Sequence, residues 1–157
     1  MQNQILGEYP CKVDAKGRVR LPSALLKQLE DFGAHKFVVN RGFKKYLVLY
    51  PEKVWGEVTE EIEKLNQFVE KNRIFKRLFL RGSTPMTLGG SDRINFPQSL
   101  LDYANIKNEV VLAGSGDRVE IWDAETYYAM MDEDIDLSAL AEDVLGGFSG
   151  GGMPAAS

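Results

Sequence analysis

Arg18-Val19-Arg20-Leu21-Pro22-Ser23-Ala24-Leu25-Leu26 returns further along the chain as Arg93-Ile94-Asn95-Phe96-Pro97-Gln98-Ser99-Leu100-Leu101. Arginine, apolar, polar, apolar, proline, two small or polar residues and a Leu-Leu pair match in register, 75 positions apart. Each copy leads to an apolar run and then an aromatic-ended one, Leu47-Val48-Leu49-Tyr50 first and Val119-Glu120-Ile121-Trp122 second. A whole supersecondary unit therefore occurs twice. Two copies are too few for a solenoid, so the duplication predicts a pseudo-two-fold domain.

Outward from the first copy, Val19 and Leu21 alternate with Arg18 and Arg20, the period of a half-buried strand. Both arginines leave that strand on the face opposite the apolar pair. Asp14-Ala15-Lys16-Gly17 before it has the chemistry of a turn, since Asp can bond nearby backbone and Gly accepts positive φ. The stretch from Gly7 to Val13 is the strand entering that turn. Pro22 ends the second strand and opens a helix to Phe32, closed by Gly33. Strands follow over Lys36 to Val39 and Tyr46 to Tyr50, joined by the basic loop Asn40 to Lys45.

From Glu52 to Gln67 and from Phe68 to Leu80 the apolar spacing becomes helical. In the second of these helices Phe68, Ile74, Phe75, Leu78 and Phe79 are expected to face inward. The second copy repeats the plan: strand Met86 to Leu88, turn Gly89 to Asp92, strand Arg93 to Phe96 and helix Pro97 to Ala104. Strands Val110 to Ala113 and Arg118 to Trp122 and a helix from Ala124 to Met131 complete it. The divisions are thus 7–54 and 83–131 for the two units, 55–82 for a helical connector, and 132–157 for a tail. That tail is acidic, then Gly-rich, and is expected to be disordered.

The net charge of −4 hides an asymmetry. Residues 1–81 hold 16 Lys or Arg against 10 Asp or Glu, whereas residues 82–157 hold 3 against 13. Only the first half is positive enough to face phosphates. With a single cysteine, Cys11, no internal disulfide or Cys-only metal site is expected. No apolar run reaches the roughly 18 residues of a membrane span, and the opening residues do not read as a signal peptide. A soluble, cytoplasmic protein without membrane contact is expected.

Nothing in the chain reads as a catalytic constellation, a metal site or a cofactor-binding loop. One histidine, His35, falls in a helix-to-strand loop, and paired carboxylates such as Glu60-Glu61 fall on a polar helix face. No enzyme, metal or cofactor is expected. What remains is Asp14-Ala15-Lys16-Gly17-Arg18-Val19-Arg20. A hairpin tip carrying Lys16, Arg18 and Arg20 is a projecting cation, and Arg offers a planar fork suited to phosphate or to guanine in the major groove. Asp14 can brace Arg18; equally, Asp14 and Gly17 can simply make a turn.

Asp-x-x-Gly-Arg, apolar, x, apolar, Pro, repeated once in a chain of this length, resembles the MraZ family of bacterial regulators over Gly7 to about Met131. The resemblance implies an α+β, β-rich fold: a pseudo-two-fold swapped-hairpin or double-psi β-barrel of two SpoVT/AbrB-like units with a helical connector. It also implies a nucleoid-associated transcriptional repressor of its own cell-division and cell-wall operon. The implied partner is double-stranded DNA at short direct repeats in the promoter, bound by a homo-oligomeric ring. The family's Asp-x-x-x-Arg motif falls on Asp14 and Arg18; Lys16, Gly17 and Arg20 share its hairpin. In the second unit Arg93 matches, but Gly89 replaces the Asp and Asp92 takes the glycine position. Arg93 is therefore expected to matter less on DNA than Arg18. The other readings of the residues are a non-DNA oligomeric scaffold and an antitoxin of the same barrel class.

Overall fold

The computed structural model describes residues 4–33, 35–88 and 92–146. They divide into two compact units, one ending at Tyr127 and the other beginning at Tyr128. The glycines and serine at 89–91 and the Gly-rich stretch 147–157, both read from the sequence as lacking regular structure, lie outside the described residues.

Among its described residues the first unit holds eight strands: β1 (Glu8–Lys12), β2 (Arg18–Arg20), β3 (Lys36–Arg41), β4 (Leu47–Pro51), β5 (Thr84–Thr87), β6 (Arg93–Asn95), β7 (Glu109–Gly114) and β8 (Val119–Asp123). Between them lie α1 (Ser23–Asp31), α2 (Glu52–Glu63), α3 (Glu70–Leu80) and α4 (Gln98–Tyr103). Helix α5 (Ala124–Met131) follows β8, and α6 (Leu137–Leu145) belongs to the second unit. The class is α+β, as the family resemblance implies.

Six strands form one antiparallel sheet in the order β1-β7-β8-β4-β3-β5, and β2 pairs with β6 in a separate ribbon. The order is a palindrome of the two repeats. Strands β1, β3 and β4 correspond to β5, β7 and β8, so each repeat lends its first strand to the other's hairpin: β1 pairs with β7, and β5 with β3. The two repeats consequently interlock in space, strand by strand. Strands β1 and β5 end the sheet, and no ladder joins them among the described residues, so barrel closure is not seen as strand pairing.

The core follows the repeat. Val19 and Ile94, Leu21 and Phe96, and Leu25 and Leu100 occupy matching positions, and all six are buried in one cluster with Val39, Leu49, Leu112 and Ile121. Alternation within each short strand sends Val19 and Ile94 inward, while Leu25 and Leu100 lie on the buried faces of α1 and α4. Proline precedes α1, α2 and α4 at the N-cap, as Pro22, Pro51 and Pro97. It ends each extended run with a fixed φ, and no helical hydrogen bond is lost because a first-turn N–H has no partner. Where the chain leaves α1 and α4, Gly33 at φ +84° and Asn105 at φ +55° turn it through the left-handed region. Asn tolerates that conformation better than most residues.

Two expectations are corrected. Phe68, Ile74, Phe75 and Leu78 do not face inward: Phe68 is 91% exposed, Ile74 44% and Leu78 56%, and α3 has no buried residue. The apolar spacing of α3 is helical, but its row meets solvent. Second, residues after 132 are not structureless throughout, because α6 forms over Leu137–Leu145. Asp136 caps it by accepting a hydrogen bond from the Ala139 N–H at 3.2 Å. A capping aspartate ahead of Leu137, Leu140, Ala141, Val144 and Leu145 is a helix signal that the acidic composition masked.

Candidate nucleic-acid interface

The duplicated motif builds a single site. In the β2–β6 ribbon the register places Arg18 opposite Asn95, Val19 opposite Ile94, and Arg20 opposite Arg93. Strand alternation sends the central pair into the core, where Val19 and Ile94 are fully buried. The flanking pairs share the other face, so Arg18, Arg20, Arg93 and Asn95 line one surface of the ribbon. Arg20 and Asn95 are exposed, while Arg18 and Arg93 are half-buried.

The ends of the ribbon are closed reciprocally. The Phe96 N–H donates to the Gly17 carbonyl at 2.9 Å, and the Leu21 N–H donates to the Asp92 carbonyl at 2.9 Å. Phe96 matches Leu21 in the repeat and Asp92 matches Gly17, so one bond is the image of the other. Gly17 sits at φ +80° and Asp92 at φ +59°. A Cβ on Gly17 would lie 3.0 Å from the Phe96 carbonyl oxygen, so both the backbone angle and the close approach require glycine there. Gly17 is buried; its part in the candidate site is to shape the turn.

Asp14 organises the first tip. Its Oδ1 accepts the Lys16 and Arg18 N–H groups, each at 2.9 Å, and its Oδ2 accepts the Arg18 Nε–H at 2.7 Å. The Gly17 N–H closes the turn on the Asp14 carbonyl at 3.0 Å, and the Asp14 N–H reaches the Arg18 carbonyl at 2.9 Å. The carboxylate is therefore both turn and brace, the two alternatives left open by the sequence. Chiefly through the Arg18 backbone N–H, with desolvation opposing and the Arg18 side chain and Lys16 N–H adding to it, the Asp14 pKa lies below its ordinary 3.8. Arg18 keeps its remaining guanidinium donors free of ion pairs, and Lys16, Arg20 and Arg93 make none among the described residues.

Asp14, Lys16, Gly17, Arg18, Arg20 and Arg93 thus come together at one ribbon. The sequence pattern placed Arg93 in a separate, weaker hairpin, whereas it lies directly across from Arg20. Asn95, which carries no motif signal of its own, takes the place matching Arg20 in the repeat. The 75-residue offset carries that correspondence, and antiparallel pairing then places Arg18 and Asn95 face to face.

Like charges set directly opposite on a strand pair are destabilising. An Arg20–Arg93 pair without a neutralising carboxylate is therefore suited to an anion that arrives from outside. A narrow two-stranded ribbon matches the roughly 12 Å width of the DNA major groove.

An interlocked double-repeat α+β domain with an arginine-faced ribbon at its pseudo-two-fold centre is the class defined by fold and site. The family described as "MraZ protein, putative antitoxin-like" matches this chain twice, over residues 5–78 and 79–146, and the chain belongs to it. Three relatives bear the name Transcriptional regulator MraZ. That of Flavobacterium psychrophilum is 38% identical over 92% of this chain and 93% of its own length. That of Cytophaga hutchinsonii is 36% identical over 88% and 93%, and that of Christiangramia forsetii 39% over 90% and 93%. A solution structure of PHS018 from Pyrococcus horikoshii aligns over 74% of this chain and 87% of its own, at 12% identity and a TM-score of 0.32.

Proposed function

We propose that the protein is a transcriptional repressor that binds double-stranded DNA through the β2–β6 ribbon. Membership of the family and the name shared by the three relatives support the regulatory role. The observation that carries the DNA contact is the opposition of Arg20 and Arg93 on a face that also holds Arg18. In this reading Arg18, oriented by Asp14, reads a base edge or a phosphate, and Lys16, Arg20 and Arg93 hold the backbone. Gly17 and Asp92 set the two turns.

One ribbon bearing four cations binds weakly. At about 0.9 counterions released per neutralised phosphate, a fourfold rise in salt lowers its affinity on the order of 10²-fold. Several ribbons on a homo-oligomeric ring, facing short direct repeats in a promoter, act as tethered sites that raise avidity by roughly 10²–10⁴. The operator in this reading lies upstream of the protein's own cell-division and cell-wall genes.

Footprinting on that upstream region tests the proposal. A repressor of this kind protects an array of evenly spaced repeats, and Arg18→Ala removes the protection while leaving the oligomer mass unchanged. An unprotected region at low salt would leave the scaffold reading in its place.

A further inference from the structure

Helix α3 presents an apolar row to solvent. Ile74 and Leu78 lie one turn apart on its surface, and Phe75 beside them is exposed as well. Lys71, Arg77 and Arg81 stand three or four residues from this pair, hence on the same face, and none forms an ion pair among the described residues. From Glu70 to Arg81 the helix and its C-cap hold five cations and one acid.

Helix α6 has the opposite character. Leu137, Leu140, Ala141, Val144 and Leu145 recur at the spacing of a single helical face, and Leu137, Leu140 and Val144 are exposed. Glu142 and Asp143 border that face on either side. Residues 132–145 carry six acids and no Lys or Arg. An amphipathic acidic helix of this kind is a ligand for a basic apolar groove. Two copies of α3, or two copies of α6, would instead set like charges against each other.

We infer that α6 of one copy docks on the Lys71–Ile74–Leu78–Arg81 face of α3 in a second copy. Leu140 and Val144 cover Ile74 and Leu78, while Glu142 and Asp143 meet Lys71 and Arg77. The contact gives the ring of the proposed function a reciprocal link, and it rests on that reading in requiring oligomers.

A charge exchange in the full-length protein tests it. Glu142→Lys with Asp143→Lys in one preparation, and Lys71→Glu with Arg77→Glu in another, each weaken self-association about tenfold or more, read by analytical ultracentrifugation. Mixing the two preparations restores the wild-type mass, because the reversed helix of one chain then meets the reversed face of the other. A helix docked on its own chain is not rescued by mixing, and that result overturns the inference.

In a Cys11→Ala background, chains carrying Leu78→Cys mixed with chains carrying Leu140→Cys form a mixed disulfide-linked pair under mild oxidation; its absence also overturns the inference. If the wild type is oligomeric and all variants keep its mass, the docking fails and the ring stands. A wild type monomeric at every concentration ends both.

Discussion

Arg20 and Arg93, far apart in the chain, are Cα partners across the β2–β6 ribbon. Their charges share one face, and the register that buries Val19 and Ile94 holds them there. Removing either charge has effects of opposite sign on stability and binding. Arg20→Ala and Arg93→Ala each leave the melting temperature unchanged or slightly raised, because repulsion between them is relieved. Each also weakens DNA binding and reduces the slope of log K against log salt by about 0.9 for every phosphate that is no longer neutralised. Anisotropy titrations at several salt concentrations check this. A weakening confined to Arg20→Ala would bear out the sequence-based expectation that Arg93 is secondary.

The two turns respond differently to the same chemistry. Gly17→Ala meets both a φ of +80° and the Phe96 carbonyl, and costs about 2–3 kcal/mol. Gly116→Ala, at φ +90° with open space around it, costs only the backbone part, about 1 kcal/mol. Asp92→Gly relaxes a left-handed non-glycine residue and removes a carboxylate next to Arg93. Stability stays within about 1 kcal/mol, since gained chain entropy offsets relieved strain, and DNA binding tightens. Denaturant melts of the three variants provide the comparison.

Asp14 sets an acid limit on the tip. Its folded pKa is lowered from 3.8, so the brace on Arg18 is fully present above the ordinary carboxylate value and is lost as pH falls through the depressed one. Carboxyl NMR titration of Asp14 should show a midpoint under 3.8, with the Arg18 Nε–H signal broadening over the same range. In Asp14→Asn the Arg18 signal shows no such transition. A midpoint at or above the ordinary value would mean that the carboxylate does not brace Arg18 in solution.

Cys11 is buried, and burial, aided by the charge of Glu109, raises its thiol pKa to about 11. At pH 8 only about one thiol in a thousand is ionised by that value. Alkylation is expected to be slow in native protein and rapid in denaturant, and mass spectrometry of timed quenches measures it.

Under the ribbon, Ile94 is fully enclosed. Ile94→Ala opens a cavity directly beneath the Arg20–Arg93 pair and costs about 2–5 kcal/mol. DNA binding falls with it, since the ribbon loses the floor that fixes its register. Calorimetry and the same anisotropy assay report the two effects together.

The repeat itself made the fold legible. Because Arg18-Val19-Arg20-Leu21-Pro22 returns as Arg93-Ile94-Asn95-Phe96-Pro97, the strand ends, the proline-led helices and the inward residues can be read from periodicity and turn chemistry. The Asp14 brace is readable as one of two options, since Asp and Arg four residues apart across a glycine turn can meet. The pairing of Arg20 with Arg93 is hidden, because strand exchange between repeats is a property of topology, and nothing local to either strand encodes its partner. The exposed row on α3 misleads for a related reason. A helical apolar stripe reads the same whether its cover comes from the same chain or another. On α6, acidic residues outweigh an apolar spacing that composition averages away.

The two bonds related by the pseudo-two-fold, Phe96 to Gly17 and Leu21 to Asp92, join residues from opposite halves of the polypeptide. A ribosome must therefore deliver the later arm before the earlier one can close, and the nascent first arm waits with Val19 and Leu21 uncovered. Folding limited by so distant a closure is slow compared with that of a helical domain of similar size, and the interval is when the young polypeptide is most open to chaperones and to mispairing with its neighbours.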